Sequence, residues 1–190
     1  MSSKKKKPTH RALDSFLQTW RGCTLCPLHE GRSKVVLYRG MVPCDVLFIG
    51  EAPGHVEDAR GVPFVGPSGK VLESIIGECL PDELTYAITN TICCIPMREN
   101  RDLRPPKKEE IAACKPRLVD FINLVASPKA IVLVGKVAET SCRKLAESFA
   151  PAIHIRHPAY ILRQGGLESA TGVGAILDLQ EFIATTFSEE

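Results

Sequence analysis

No run of 18 consecutive apolar residues occurs in the 190-residue sequence, which leaves nothing long enough to cross a bilayer as a helix. The chain also lacks the charged-then-apolar opening of a secretory leader, so the expectation is a protein neither embedded in a membrane nor secreted. No internal repeat is present, which sets solenoid architectures aside. An excess of one charge is missing too: 24 Lys+Arg against 22 Asp+Glu leave a total of +2, which by itself identifies no partner. With 44% hydrophobic and 24% charged residues the composition is that of an ordinary globular protein. A chain of this length buries roughly 70% of its unfolded surface, most simply as one domain. What the chain does have in excess is cysteine, eight in all. Disulfides do not persist in a reducing cytosol, so metal ligation or plain packing has to account for them.

The small net charge conceals an asymmetry. Lys4 to Lys7 hold four of the basic charges, leaving 20 basic against 22 acidic residues, or −2, for the remainder. Residues 1–8 are polar and aperiodic and read as a disordered basic tail, with a single domain over 9–190. Such a tail holds nucleic acid non-specifically or is simply solvated.

Apolar residues at Leu13, Phe16, Leu17 and Trp20 recur with helical spacing over about 10–20. Gly22 ends that helix, and Cys23-Thr-Leu-Cys26-Pro forms a tight knuckle. Asp45 to Ile49 is a short apolar run stopping at Gly50, as a buried strand does. Residues 50–68 form a Gly/Pro-rich loop too long for a simple turn, a kind of segment that commonly carries function. Ser68 is placed to cap a helix running to about Leu80 and closed by Pro81. Strands follow at Leu84–Thr89, Ala130–Val134 and Ala152–Ile155. Helices are expected at Pro105–Val125, Lys136–Phe149 and about Leu167–Thr185. Strands alternating with helices predict an α/β fold: three α/β/α layers around a four-stranded, mainly parallel sheet. Ligands of such folds sit beyond the carboxyl ends of the strands. Attention therefore falls on residues 50–69, 90–104 and 156–166.

Cys23 and Cys26 form a C-x2-C pair able to share one metal ion or cluster. Cys93 or Cys94, just past a strand, and Cys114, in the following helix, are the available second pair. Four thiolates suit zinc or an iron–sulfur cluster alike, and spacing does not separate them. Cys44, Cys79 and Cys142 read as ordinary small buried side chains.

Two nucleotide motifs fail. G-x-G-x-x-G is absent after the first strand, and Gly66-Pro-Ser-Gly69-Lys70 lacks the first glycine and the Ser/Thr of a P-loop, with Phe64 and Val71 in their places. The same loop offers free backbone N–H groups, a helix start at Ser68 suited to a phosphate, and one large aromatic. Phe64 either stacks on a base or plugs the core. Asn90 ends the second strand with an amide that donates and accepts together, as a uracil or thymine edge requires. Residues 98–108 carry a local +3 from Arg98, Arg101, Arg104, Lys107 and Lys108 against Glu99 and Asp102. His157 follows the last strand, and residues 162–166 form a flexible, partly basic loop.

Six strings occur in order: C-T-L-C-P, G-E-A-P-G-x-x-E-D, G-V-P-F-V-G-P-S-G, T-N-T-I-C-C-I-P with E-N-R, E-E-I-A-A-C-K-P, and H-P-A-Y-I-L-R. Together, from about residue 20 to 165, they resemble the family 4, iron–sulfur uracil-DNA glycosylases. The resemblance implies a [4Fe-4S] cluster on Cys23, Cys26, Cys94 and Cys114, with Cys94 chosen over Cys93 by the Asn-x-x-x-Cys-x-Pro pattern. It implies that Glu51 and Ala52 line the pocket, that Phe64 stacks on a flipped base, and that Asn90 reads its Watson–Crick edge. His157 faces the departing base, with Glu57 and Asn100 as further site residues. Ser68, Lys70, Arg101, Leu162 and Arg163 are the expected DNA contacts, and Leu162 or Arg163 the wedge that fills the gap. The Cys94–Cys114 loop departs from the pattern: it is slightly longer, with Met97-Arg98 near the expected Pro-x-Asn-Arg. Residues 95–113 contain no histidine, which sets aside a related branch that traps its product covalently. Ala52 stands where other superfamily members carry Asp, so Glu51 or Asn100 is left to position water.

The activity implied is hydrolysis of the N-glycosidic bond of uracil in single- or double-stranded DNA, leaving an abasic site for base excision repair. The rival readings are a glycosylase for a modified pyrimidine and a non-catalytic iron–sulfur accessory that binds DNA. A monomer, located in the cytoplasm with the DNA, completes the expectation.

Overall fold

The computed structural model describes residues 10–124 and 128–188. The expected basic tail at residues 1–8 lies outside these, as does residue 125, the expected end of the long helix. Helix α1 (His10–Arg21) turns Phe16 and Trp20 inward from one face. Past the cysteine knuckle come a short α2 (Leu28–Gly31), a two-residue β1 (Arg39–Gly40) and β2 (Val46–Gly50). The long loop contains α3 (His55–Arg60) before α4 (Pro67–Cys79) and β3 (Tyr86–Asn90). The second half runs α5 (Lys108–Leu124), β4 (Ala130–Val134), α6 (Lys136–Glu147) and β5 (Ala152–Ile155). It closes with α7 (Pro158–Arg163) and α8 (Ala170–Phe187).

The sheet has strand order β1-β3-β2-β4-β5, and only β1 is antiparallel to its neighbour. It therefore has five strands where four were expected. The extra one, β1, pairs only Arg39 with Ile88 and Gly40 with Ala87, too short a segment to show any periodicity. β2 and β4 are buried at every position, as strands covered on both faces must be. Leu47 and Ile49 face one core with Phe16, Trp20, Leu118 and Phe121 from α1 and α5. Val46 and Phe48 face the other with Leu72, Ile75, Ile161 and Leu179 from α4, α7 and α8. Side chains alternating across β2 thus knit both helical layers to one strand, giving the α/β/α arrangement. Trp20 Nε1 donates to Asp120 Oδ2 at 3.1 Å and fixes α1 on α5.

Helix starts differ from expectation at one informative place. Gly66, not Ser68, is the residue before α4, with Pro67 at its first position, where a fixed φ and a missing N–H cost nothing. Among the described residues no helix is long and apolar enough to cross a membrane.

Because Leu47 is wholly buried in the middle of the sheet, Leu47→Ala should lower unfolding stability by about 3 kcal/mol, read as a shift in the denaturant midpoint.

Candidate active site

The carboxyl ends of β2, β3 and β5 open onto a cavity of about 480 Å³, the size of a small-molecule site. Glu51, Ala52, Glu57, Phe64, Ser68, Asn90, His157 and Arg163 all line it. Parallel pairing sets Gly50 opposite Asn90 at the last register position of β2 and β3, so the two strand ends and their loops meet at one place.

Asn90 is 1% exposed, and its Oδ1 is buried with no hydrogen-bond partner. Leaving such an atom unpaired costs about 1–3 kcal/mol, so the amide is poised for a ligand rather than for the fold. Gly50 makes the approach feasible. A Cβ there would lie 2.5 Å from Asn90 Oδ1 and 2.5 Å from the Phe64 ring.

Phe64 belongs to the core on one side and lines the cavity on the other. Its backbone sits at φ +53°, a left-handed conformation that a bulky residue adopts only when its surroundings impose it. Arg39 from β1 donates to the Phe64 carbonyl at 3.3 Å, and Gly69 gives that carbonyl room, since a Cβ there would overlap it. Arg39 is anchored in turn by an ion pair with Glu73. The Phe64 ring then stands 6.1 Å from that of His157, tilted by 33°.

His157 is the N-cap of α7, and its Nδ1 accepts the Ala159 N–H at 3.1 Å. An accepting Nδ1 places the proton of a neutral ring on Nε2. Burial, with the Arg163 charge adding to it, pushes the His157 pKa below its ordinary value, so the neutral Nε2–H donor is the working form near neutral pH. Gly135, at φ +89°, admits this ring: a Cβ there would meet the His157 side chain at 2.9 Å. Glu51 is half-buried, and desolvation raises its pKa.

Glu57 lines the cavity as expected of a site residue. Its Oε1 accepts from Val65 N at 3.0 Å and Gly66 N at 2.8 Å, and its Oε2 from Gly54 N at 3.2 Å. It thereby also braces the loop that carries Phe64. Asn100 is not brought to the cavity: it is exposed and bonded to Asp102 through its side chain. Arg101 and Lys70 are likewise exposed and outside the cavity lining. Leu162 is exposed on α7 at 42%, next to the lining residue Arg163.

The expected basic patch is thinner than its sequence. Arg104 turns inward and grips Glu110 with two hydrogen bonds of 2.9 and 2.6 Å. Lys136, Arg156 and Arg163 complete the cationic lining. Lys136 escaped the sequence reading, although it opens directly after β4 and the strand-end rule covers it. Arg156, Leu103 and Tyr160 lie within the segments that rule selected, and His154, inside β5, lies outside them.

The cysteines divide in two groups. Cys44, Cys79 and Cys142 are buried, and burial pushes the first two thiols up to about 12 and about 11, which leaves them inert. Cys93, Cys94 and Cys114 are buried in one core, with Cys23 and Cys26 packed against it. Cys93 and Cys114 lie Sγ to Sγ at 3.6 Å, whereas Arg32 donates to Cys94 Sγ at 3.2 Å. Hydrogen bonding to Cys93 and the Arg32 donor lower the Cys94 pKa despite its burial. The carboxylate facing Cys26, Glu110, is engaged by Arg104, so the donors on offer are thiols, the set that suits iron–sulfur chemistry. Among the described residues no three His, Cys, Asp or Glu side chains converge as the ligands of a single ion would.

The cavity thus brings an aromatic ring, an amide oxygen without a partner and an imidazole together at the strand ends of a mainly parallel sheet. Residues 40–179 match the uracil DNA glycosylase superfamily, and the chain belongs to that family. It is similar to the type-4 uracil-DNA glycosylase of Sulfurisphaera tokodaii, 37% identical over 79% of this chain and 67% of that protein. The type-4 uracil-DNA glycosylases of Pyrobaculum aerophilum and Thermotoga maritima are 33% and 37% identical over 66% and 61% of this chain. The chain spans 61% and 58% of the length of those two relatives.

Gly50→Ala tests the crowding directly. It should destabilise the fold by roughly 1–3 kcal/mol in chemical denaturation, and a crystal structure of the variant should show the Phe64 ring displaced from the cavity.

Proposed function

We propose that this chain is a monofunctional uracil-DNA glycosylase of base excision repair, which extrudes uracil from DNA and hydrolyses its N-glycosidic bond. The observation that carries this reading is the buried, unpartnered Asn90 Oδ1 facing the cavity. An amide accepts the uracil N3–H through Oδ1 and donates to O4 through Nδ2. Cytosine reverses that polarity at both atoms, so the amide as oriented discriminates against it. Phe64 supports the base face, a contact worth about 1–3 kcal/mol. Extrusion costs a few kcal/mol, offset by these contacts and by Leu162 or Arg163 entering the vacated space.

Cleavage sends the bonding electron pair to the base and leaves an oxocarbenium-like sugar. His157, with its proton on Nε2, donates a hydrogen bond to the base oxygen where negative charge develops, electrostatic work rather than proton transfer. Glu51 positions the water whose oxygen bonds to the sugar carbon, the water proton leaving with the uracilate. Cys23, Cys26, Cys94 and Cys114 hold the [4Fe-4S] cluster, which supplies structural cross-linking between the N-terminal knuckle and α5. Ser68 and the cations Lys70, Arg101 and Arg163 hold the DNA backbone, and the enzyme acts as a monomer in the cytoplasm beside its DNA.

Strands bearing uracil, hydroxymethyluracil or a modified cytosine, followed by alkali, separate the substrates: strand cleavage is expected at uracil. Cleavage only at a modified base overturns the choice of substrate, and none at any lesion overturns the enzymatic reading.

His157→Ala should reduce the single-turnover rate about 10²–10³-fold while DNA affinity stays nearly unchanged. Burial raises the Glu51 pKa above its ordinary 4.5, so the acid limb of the pH–rate profile, where that carboxylate protonates, should have its midpoint above pH 4.5. The depressed His157 pKa keeps its imidazole neutral at its ordinary 6.5 and above.

A further inference from the structure

Arg117 in α5 is fully buried, at 0% exposure, and a guanidinium does not shed its proton. Its hydrogen bonds go to neutral atoms. Nη1 donates to Thr89 Oγ1 at 2.9 Å, and Nη2 donates to the carbonyls of Asn90 at 2.6 Å and Thr91 at 3.0 Å. Nη2 also points at Cys114 Sγ, 3.7 Å away. Among the described residues no carboxylate lies within ion-pair distance of it, and its Nε has no partner. An isolated cation in a protein interior is strongly unfavourable unless a counter-charge meets it. The sulfur of Cys114, facing Nη2, is the contact atom that a bound metal would make anionic.

We propose that Arg117 is a positioning residue joining the two halves of the site: its charge answers the metal-bound Cys114 thiolate, and its fork holds the strand end that presents Asn90. The inference rests on the base-reading role given to Asn90 above. Cysteine is deprotonated when it binds metal, which places a negative sulfur beside the Arg117 fork. On its other side the fork fixes three consecutive residues. Thr89 Oγ1 accepts from Arg117 and donates onward to the Leu37 carbonyl at 2.7 Å. Thr91 is tied through its N–H and its hydroxyl to the Gly50 carbonyl, both at 2.8 Å. With the backbone on both sides of it held, the Asn90 Cα is fixed at the cavity end of β3. An ordinary buried lysine does not substitute, because a point charge cannot span two carbonyls, a hydroxyl and a sulfur at once.

The test uses the protein purified with its iron and two variants, Arg117→Lys and Arg117→Gln. Arg117→Lys keeps the charge and loses the fork. It should retain wild-type iron content and visible absorbance, while single-turnover uracil excision from single-stranded DNA falls about 10–100-fold with DNA affinity unchanged. Arg117→Gln removes the charge, and its visible absorbance should bleach about 10-fold or more faster in excess iron chelator. Excision by Arg117→Lys at the wild-type rate overturns the positioning of Asn90. Bleaching of Arg117→Gln at the wild-type rate overturns the pairing with the cluster. If Arg117→Gln does not fold, Arg117→Lys carries both arms, since iron loss from it would equally refute a role for the charge. A wild-type protein that cleaves no uracil defeats the functional reading alone, because chelator bleaching still reports on Arg117.

Discussion

The pairing of Gly50 with Asn90, at the last shared position of β2 and β3, is the contact on which the site depends. A strand ending in glycine leaves space above its last residue, and that space is filled by the Asn90 amide from one side and the Phe64 ring from the other. Neither could take its position over a side chain at residue 50. Everything else around the cavity holds one of these two groups in place. Glu57 ties the phenylalanine loop through three backbone N–H groups, Arg39 and Gly69 settle the Phe64 carbonyl, and Arg117 secures the strand end carrying Asn90. The site is built less by catalytic side chains than by buried polar groups that immobilise backbone.

That division explains what could be read from the sequence. The strands at Ala130–Val134 and Ala152–Ile155 are found where their apolar runs place them, because buried parallel strands advertise themselves by composition. Phe64, Asn90 and His157 stand at strand ends or in the long loop, and the strand-end rule brings them together before any coordinates are known. The bracing groups were not legible. Glu57 looks like a site acid because it lies in a site motif, and only its three backbone partners show that it also braces the Phe64 loop. α3 and α7, six residues each, are too short to display a 3.6-residue period. β1 has two residues and no pattern at all, yet it delivers Arg39 to the Phe64 loop.

Charge misleads in the same way. A sequence counts Arg104 as a free cation of the 98–108 patch, whereas the fold spends it on Glu110, whose own carboxyl is held below its usual range by Arg104 and the Lys107 N–H despite burial. Lys136, Arg156 and Arg163 form no run, but the ends of β4 and β5 and the short helix α7 set them around the same mouth. An exposed rim of this kind contributes little to stability. It makes the mouth of this cavity locally positive, an effect that weakens with salt.

The eight cysteines complete the same logic. Cys44, Cys79 and Cys142 are packing groups, their thiols kept protonated by burial, while Cys93, Cys94 and Cys114 lie in the core that α5 covers, with Cys23 and Cys26 packed against it. There the Arg117 fork faces Cys114 Sγ at 3.7 Å, with no carboxylate among the described residues in ion-pair reach. In the proposed reading a metal centre held by these thiols would supply the counter-charge. Because Arg117 also bonds the Asn90 carbonyl, that charge would be linked to the candidate site through a single side chain.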